Sequence, residues 1–229
     1  MKKHIIRYAS FALAILGMVS CSDEQETALR SQDAKSTPMT FLVSHPGQAT
    51  RATETSFEQN DKIGLYVADA KAQLEIGGNL VNNEALTYDG SNWAAARTLY
   101  WDKGTYTAYA YYPYIKNVSN ITDQPFSIAL DQSTAKSKET LGGYEASDLL
   151  FATSKNISAS ASPIPLNFKH IMSKLKIRLI KGEDFEGDMP TTAQVTIHNT
   201  VPTATIDLQA GVATRYVKGT RKSIIAHQD

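Results

Sequence analysis

The hydrophobic pattern of this chain repeats with a period of two, not 3.6. From Thr105 to Tyr112 the residues alternate, with Tyr106, Ala108, Ala110 and Tyr112 on one side and Thr107, Tyr109 and Tyr111 on the other. Small Ala between large Tyr suits a face into which a second sheet inserts its own side chains. Pro113 ends the run because it cannot donate to a ladder. The turn-forming triplet Asp102-Lys103-Gly104 precedes it, so residues 98–101 are expected to be the other arm of a hairpin. The same period places Ile63, Leu65 and Val67 on one face after a turn at Asn60-Asp61. Residues 173–180 show it most cleanly, with Leu175, Ile177 and Leu179 alternating with Lys174, Lys176 and Arg178.

Shorter strands are expected at residues 39–44, 125–130, 148–152, 164–170, 194–198 and 203–208, the last followed by a turn at Gly211. Residues 85–88 and 92–94 flank Asp89-Gly90 and form a second expected hairpin. Residues 69–84 read as a surface excursion broken by Gly77-Gly78 and Asn82-Asn83, and residues 131–146 as a long exposed loop. No convincing helix separates these strands, so the class is all-β and the architecture an antiparallel sandwich. A folded region of this size buries about 70% of its unfolded surface, enough for a core without disulfides.

The two ends follow other rules. Residues 1–20 have a basic start (Lys2, Lys3, Arg7), an apolar run from Ala9 to Val19 and a small Ser20, the pattern of a signal peptide. The only cysteine, Cys21, follows at once, in Met18-Val19-Ser20-Cys21, and matches a bacterial lipobox apart from Met in place of the usual Leu. The alternative is a signal peptide cut elsewhere and an incidental Cys. As the lipidated N-terminus, Cys21 would anchor the chain in the outer membrane, each buried methylene contributing about 0.8 kcal/mol. Residues 21–38 are polar and charged and read as a disordered tether. Its opening, Ser22-Asp23-Glu24-Gln25-Glu26, resembles the acidic signal that sends some lipoproteins to the outer face of gut Gram-negative bacteria. The sandwich is then expected over residues 39–215, and residues 216–229 form a basic tail that resembles the start of a truncated second domain.

Composition removes several functions. The net charge is zero, and without Lys2, Lys3 and Arg7 the balance is 20 basic against 23 acidic residues, so no concentrated positive surface awaits nucleic acid. No nucleophile-elbow, zinc-protease, phosphate-loop or paired-cysteine pattern occurs, and no cofactor is implied. His45, His170, His198 and His227 lack ligand spacing, and His170 reads as structural between Phe168 and Ile171. Glu183, Asp184, Glu186 and Asp188 crowd one turn but do not match calcium-loop spacing. A hydrolase would need a carboxylate pair in a cleft, which spacing alone does not reveal. The aromatic residues leave two readings open. Trp93, Trp101, Tyr109 and Tyr111 either pack the core or form a stacking platform for glycans.

Several motifs together carry a resemblance. Arg51-Ala52-Thr53 before Phe57, Asp61-Lys62-Ile63-Gly64-Leu65-Tyr66, Leu99-Tyr100-Trp101 and Ala108-Tyr109-Ala110-Tyr111-Tyr112-Pro113-Tyr114 stand in order. They are followed by Asp148-Leu149-Leu150-Phe151-Ala152 and Leu166-Asn167-Phe168-Lys169-His170. With the lipobox, this series resembles the Mfa-like fimbrillin family. The resemblance implies two transthyretin-like sandwiches, of which this chain supplies the N-terminal one, and a role as stalk, tip or anchor subunit of an outer-membrane fimbria. It implies fimbrial subunits as partners through donor-strand exchange, and a host or bacterial surface ligand for an adhesive member. It also implies cleavage by a trypsin-like protease after an Arg near the start of the domain. Arg51 is the matching residue here, and residues 39–44 the strand that would leave.

Overall fold

A computed structural model of the chain describes residues 37–46 and 56–228. Cys21 and Arg51 lie outside the described residues. The strands are β1 (Phe41–Ser44), β2 (Lys62–Asp69), β3 (Val81–Tyr88), β4 (Trp93–Ala95), β5 (Thr105–Tyr112), β6 (Gln124–Ser127) and β7 (Leu150–Ser158). After them come β8 (Ile164–Asn167), β9 (Lys169–His170), β10 (Thr196–Thr200), β11 (Thr203–Asp207), β12 (Val212–Arg215) and β13 (Lys222–Ile225). The backbone is organised around a six-stranded sheet in the order β4-β3-β2-β5-β7-β9, antiparallel throughout.

β5 lies inside this sheet, with β2 on one edge and β7 on the other, and its two faces are those the alternation dictates. Tyr106, Ala108, Ala110 and Tyr112 join Ile63, Leu65 and Val67 of β2 and Leu150 and Ala152 of β7 in one core. Ile164, Leu166, Phe41 and Val43, from the β1–β8 pair, close that core from above. Tyr109 and Tyr111 join Tyr66, Ala68 and Phe151 in a second core on the opposite face. Phe126, Ile206 and Leu208 cover it, the first two from the β12-β11-β6 sheet and the third just past its end. The central sheet is thus buried on both sides, which is why β2 and β5 have almost no exposed positions. Each large apolar side chain so enclosed contributes about 1.5–3 kcal/mol relative to exposure.

Several expectations are met closely. β5 has the expected limits, Asn60 takes φ +76° in the expected turn before β2, and β3 and β4 form a hairpin around Gly90 at φ +100°. Asp89 closes that turn by accepting bonds from the N–H groups of Ser91 and Asn92. Gly211 turns β11 into β12 at φ +68°.

Four differences have physical causes. Residues 98–101 do not form a hairpin arm with β5, because β2 and β7 already occupy both of its edges. They instead bridge to the start of the described chain, with Trp101 N–H donating to Thr37 O and Met39 N–H to Leu99 O. Asn82 and Asn83 belong to β3 and not to a surface excursion, at a register shift opposite Tyr66. Asn83 has φ +46°, a conformation Asn tolerates, and its side chain binds Tyr111 Oη and Ile115 O. The pairing of β1 with β8 is parallel, so the sandwich is not wholly antiparallel. Most plainly, residues 173–180 are not a strand: Leu175, Ile177 and Leu179 are 68%, 45% and 51% exposed. Alternation alone cannot make a strand where no neighbour supplies the ladder.

Part of the 131–146 loop is tied down rather than free. Lys136 Nζ lies 2.6 Å from Asp61 Oδ1 and 3.0 Å from Glu58 Oε2, and Asp61 is buried. Near the end of the chain, β13 pairs antiparallel with β10 and buries Ile224.

Candidate functional site

The first described segment is held by few backbone pairings. Residues 37–39 pair with residues 99–101, and β1 pairs with β8 alone, in the register Phe41 with Ile164 and Val43 with Leu166. The flanking bonds are Ile164 N–H to Thr40 O at 2.8 Å and Phe168 N–H to Ser44 O at 3.1 Å. Leu42 faces Pro165, which has no N–H to give, and Leu42 is 63% exposed. Met39, Phe41 and Val43 point into the first core. β1 is therefore a short strand fixed by apolar insertion and a few hydrogen bonds.

An aromatic group gathers where β1 ends. The His45 ring meets Phe57 edge-on at 4.9 Å and His170 at 6.0 Å. Phe57 also meets Trp93, Tyr112 and Phe168 within 4.9–5.6 Å. His170 Nδ1 lies 2.8 Å from Asp148 Oδ1, so this histidine ties β9 to the start of β7, a structural contact. Burial, with the neighbouring His170 next in weight, holds His45 below the usual histidine range, while Asp148 and Asp61 act in the opposite direction. The sequence marked each of these rings separately but gave no sign that residues 45, 57 and 170 converge.

The four residues considered for a glycan platform do not come together on a surface. Trp101 is buried in the first core, and Tyr109 and Tyr111 in the second, on the opposite face of the sheet. Trp93 is half-buried, stacked on Tyr88 at 5.1 Å and edge-on to Phe57. The cause is the central place of β5, covered on both sides, and burial is marked at Tyr111, whose hydroxyl is pushed well above the usual tyrosine range. The platform is thus corrected to core packing. Glu183, Asp184, Glu186 and Asp188 are exposed, and no group of His, Cys, Asp and Glu able to hold a metal occurs among the described residues.

A family model described as fimbrillin-like matches residues 50–229, most of the chain. The chain belongs to the fimbrillin-like family. This is a family of structural subunits, not of enzymes. The chain is 26% identical over 191 residues to a Bacteroides ovatus protein named "Putative fimbrium tip subunit Fim1C". That match covers 76% of this chain and 35% of the relative, so the chain spans about a third of the relative's length. Two solved structures share the fold. One is titled a "putative cell adhesion protein" of Bacteroides uniformis (TM-score 0.58, 21% identity), and the match covers 84% of this chain and 70% of that one. The other has the same title and comes from Bacteroides ovatus (TM-score 0.57, 17% identity), with 85% and 73% covered.

Proposed function

We propose that this fimbrillin-like chain is a subunit of a cell-surface fimbria, first held at the outer membrane through lipid on Cys21, then freed of that anchor by cleavage at Arg51 and assembled by strand exchange. Family membership and the likeness to a protein named as a tip subunit support the fimbrial role, and that name favours the tip over stalk or anchor. A tip subunit would present its surface to a host or bacterial ligand. The observation that carries the assembly mechanism is the seating of β1. Its departure would uncover the edge of β8 and the places of Met39, Phe41 and Val43 in the first core. Fully burying a side chain of this size contributes about 1.5–3 kcal/mol, with Met39 buried and Phe41 and Val43 partly so, and an incoming strand with the same alternation restores both burial and ladder. Arg51 stands in the polar run Gln48-Ala49-Thr50-Arg51-Ala52-Thr53, which suits an extended chain entering a protease cleft.

N-terminal sequencing of subunits taken from assembled filaments tests this directly. Mature chains beginning at Ala52 are expected, and chains beginning at Cys21 would refute processing at Arg51. Palmitate labelling of the wild type and of Cys21→Ala tests the anchor, which fails if both label equally.

A further inference from the structure

The corner where β10, β11, β12 and β13 meet gathers charge of one sign. Arg215 ends β12, Lys218 and Arg221 lie in the connection that follows, and Lys222 opens β13. Their segment wraps residues 199–203: Tyr216 N–H donates to Thr203 O at 3.1 Å, the Arg221 guanidinium to Asn199 O at 2.9 Å, and Lys222 pairs with Thr200. All four cations are exposed, and among the described residues none forms an ion pair. No Asp or Glu occurs in residues 190–206 or 208–228. Asp207 stands at the other end of β11, opposite Val212, and Asp131 at the other end of β13, beside Ile225. The positive charge is therefore left uncompensated by the elements that carry it.

At the tip of the connection stands an apolar residue. Gly219 N–H donates to Tyr216 O at 2.9 Å, so Val217 and Lys218 form the corner of a tight turn. Such corners favour Pro, Gly, Asn or Asp, so the turn itself does not account for Val217. Val217 is 79% exposed, the most exposed large apolar side chain among the described residues, and Tyr216 beside it is exposed too. The turn has no room to fold back and cover them. A Cβ at Gly219 would stand 2.5 Å from both Val201 Cγ1 and Thr203 Oγ1, so the base of the turn already lies flush on the corner. We propose that this corner docks on a lipid bilayer with anionic headgroups, Val217 and Tyr216 entering the interface while Arg215, Lys218, Arg221 and Lys222 meet phosphates. The shape selects this occupant. A folded protein would need a socket matched to the projecting tip, and a dissolved polyanion would use the cations but gain nothing from Val217. A bilayer receives an apolar tip anywhere on its surface, and a tyrosine beside it sits at headgroup level with its hydroxyl wet.

The test is co-sedimentation with large vesicles of the chain expected after export, residues 21–229, carrying Cys21→Ser. Neither the apolar start of the sequence nor an attached lipid then binds the vesicles. Phosphatidylcholine vesicles with about 30% phosphatidylglycerol are compared with phosphatidylcholine alone. Binding to the anionic vesicles should be at least about tenfold tighter, each Lys or Arg at the surface strengthening it about fivefold. It should weaken about tenfold between roughly 50 and 500 mM NaCl. Lys218→Glu/Lys222→Glu should lose about tenfold or more. Both side chains are exposed, and an unchanged thermal midpoint checks that the variant folds. Insertion is read separately. Val217→Cys in the same background carries the only cysteine, and an environment-sensitive dye on it should shift to the blue with anionic vesicles and not with dextran sulfate. No binding, or equal binding to both kinds of vesicle, overturns the proposal, as does binding that charge reversal leaves unchanged. So does a dye that stays in water on bound vesicles, or one that responds equally to dextran sulfate, because the corner then takes soluble polyanions. Neither filament assembly nor cleavage at Arg51 enters this readout, so a failure here leaves the fimbrial reading standing.

Discussion

Gly64 should be one of the least replaceable residues of the central sheet. It lies directly opposite Tyr111 in the β2–β5 pair, and the tyrosine ring lies over it. A Cβ at this position would stand 2.3 Å from Tyr111 Cζ and 2.6 Å from its hydroxyl oxygen. The ring would have to retreat by about 1 Å to reach ordinary contact. It is not free to do so, because its hydroxyl is 2.5 Å from Asn83 Oδ1 and 3.1 Å from Ile115 O and the residue is 1% exposed. Overpacking of this kind costs about 1–3 kcal/mol, and pulling the buried hydroxyl off its acceptors about 1–3 more. Replacing a strand glycine returns about 0.5–1 kcal/mol of backbone entropy. Gly64→Ala should therefore destabilise the fold by about 2–4 kcal/mol. With a urea slope of about 2–3 kcal/mol/M, the unfolding midpoint falls by about 1 M. The decisive comparison places Gly64→Ala in a Tyr111→Leu background. That double variant should differ from Tyr111→Leu alone by less than about 0.5 kcal/mol, since the obstructing ring is gone. A single variant within about 0.5 kcal/mol of wild type, or the same loss in both backgrounds, would refute the steric argument.

Other consequences can be checked on the same unfolding assay. Ala108→Asp places a carboxylate at a fully buried position of β5 facing the first core, and should cost about 3 kcal/mol or more; an unchanged thermal midpoint would contradict that burial. Lys136→Met leaves the buried Asp61 carboxylate, among the described residues, with only its bond from Glu58 N–H, and should destabilise by about 1–3 kcal/mol, less than a fully buried pair because Lys136 is partly exposed. Asp61→Asn should recover part of that loss in the double variant. His45 has a folded-state pKa below its unfolded one, so the unfolded chain takes up the proton more readily. Its contribution to stability is intact above the ordinary value of 6.5 and is lost as pH falls below it towards the lowered folded value. Subtracting the pH profile of His45→Gln from that of the wild type should isolate this loss, and parallel profiles would show that His45 does not titrate against folding.

The strands that the sequence determined by itself are those whose information is local. In β5, Tyr and Ala alternate so sharply that its limits, both faces and the insertion of a second layer could be read from the residues alone. The same holds for Ile63, Leu65 and Val67, and for the turns at Asn60 and Gly90, where a positive φ selects residue type. The tertiary structure decided whatever depends on a neighbour. Residues 98–101 have the composition of a strand, but both edges of β5 were already taken. Asn83, which reads as a breaker, serves as a bulge because Tyr111 and Ile115 receive its side chain. Trp101, Tyr109 and Tyr111 proved to be core because the central sheet is covered on both faces, a fact no single strand encodes. Residues 173–180 make the distinction clearest. Period-two alternation states which side of a strand is apolar, whereas a strand exists only where another chain segment satisfies its N–H and C=O groups. Residues 173–180 belong to no strand, and Leu175, Ile177 and Leu179 of this best-patterned stretch are exposed.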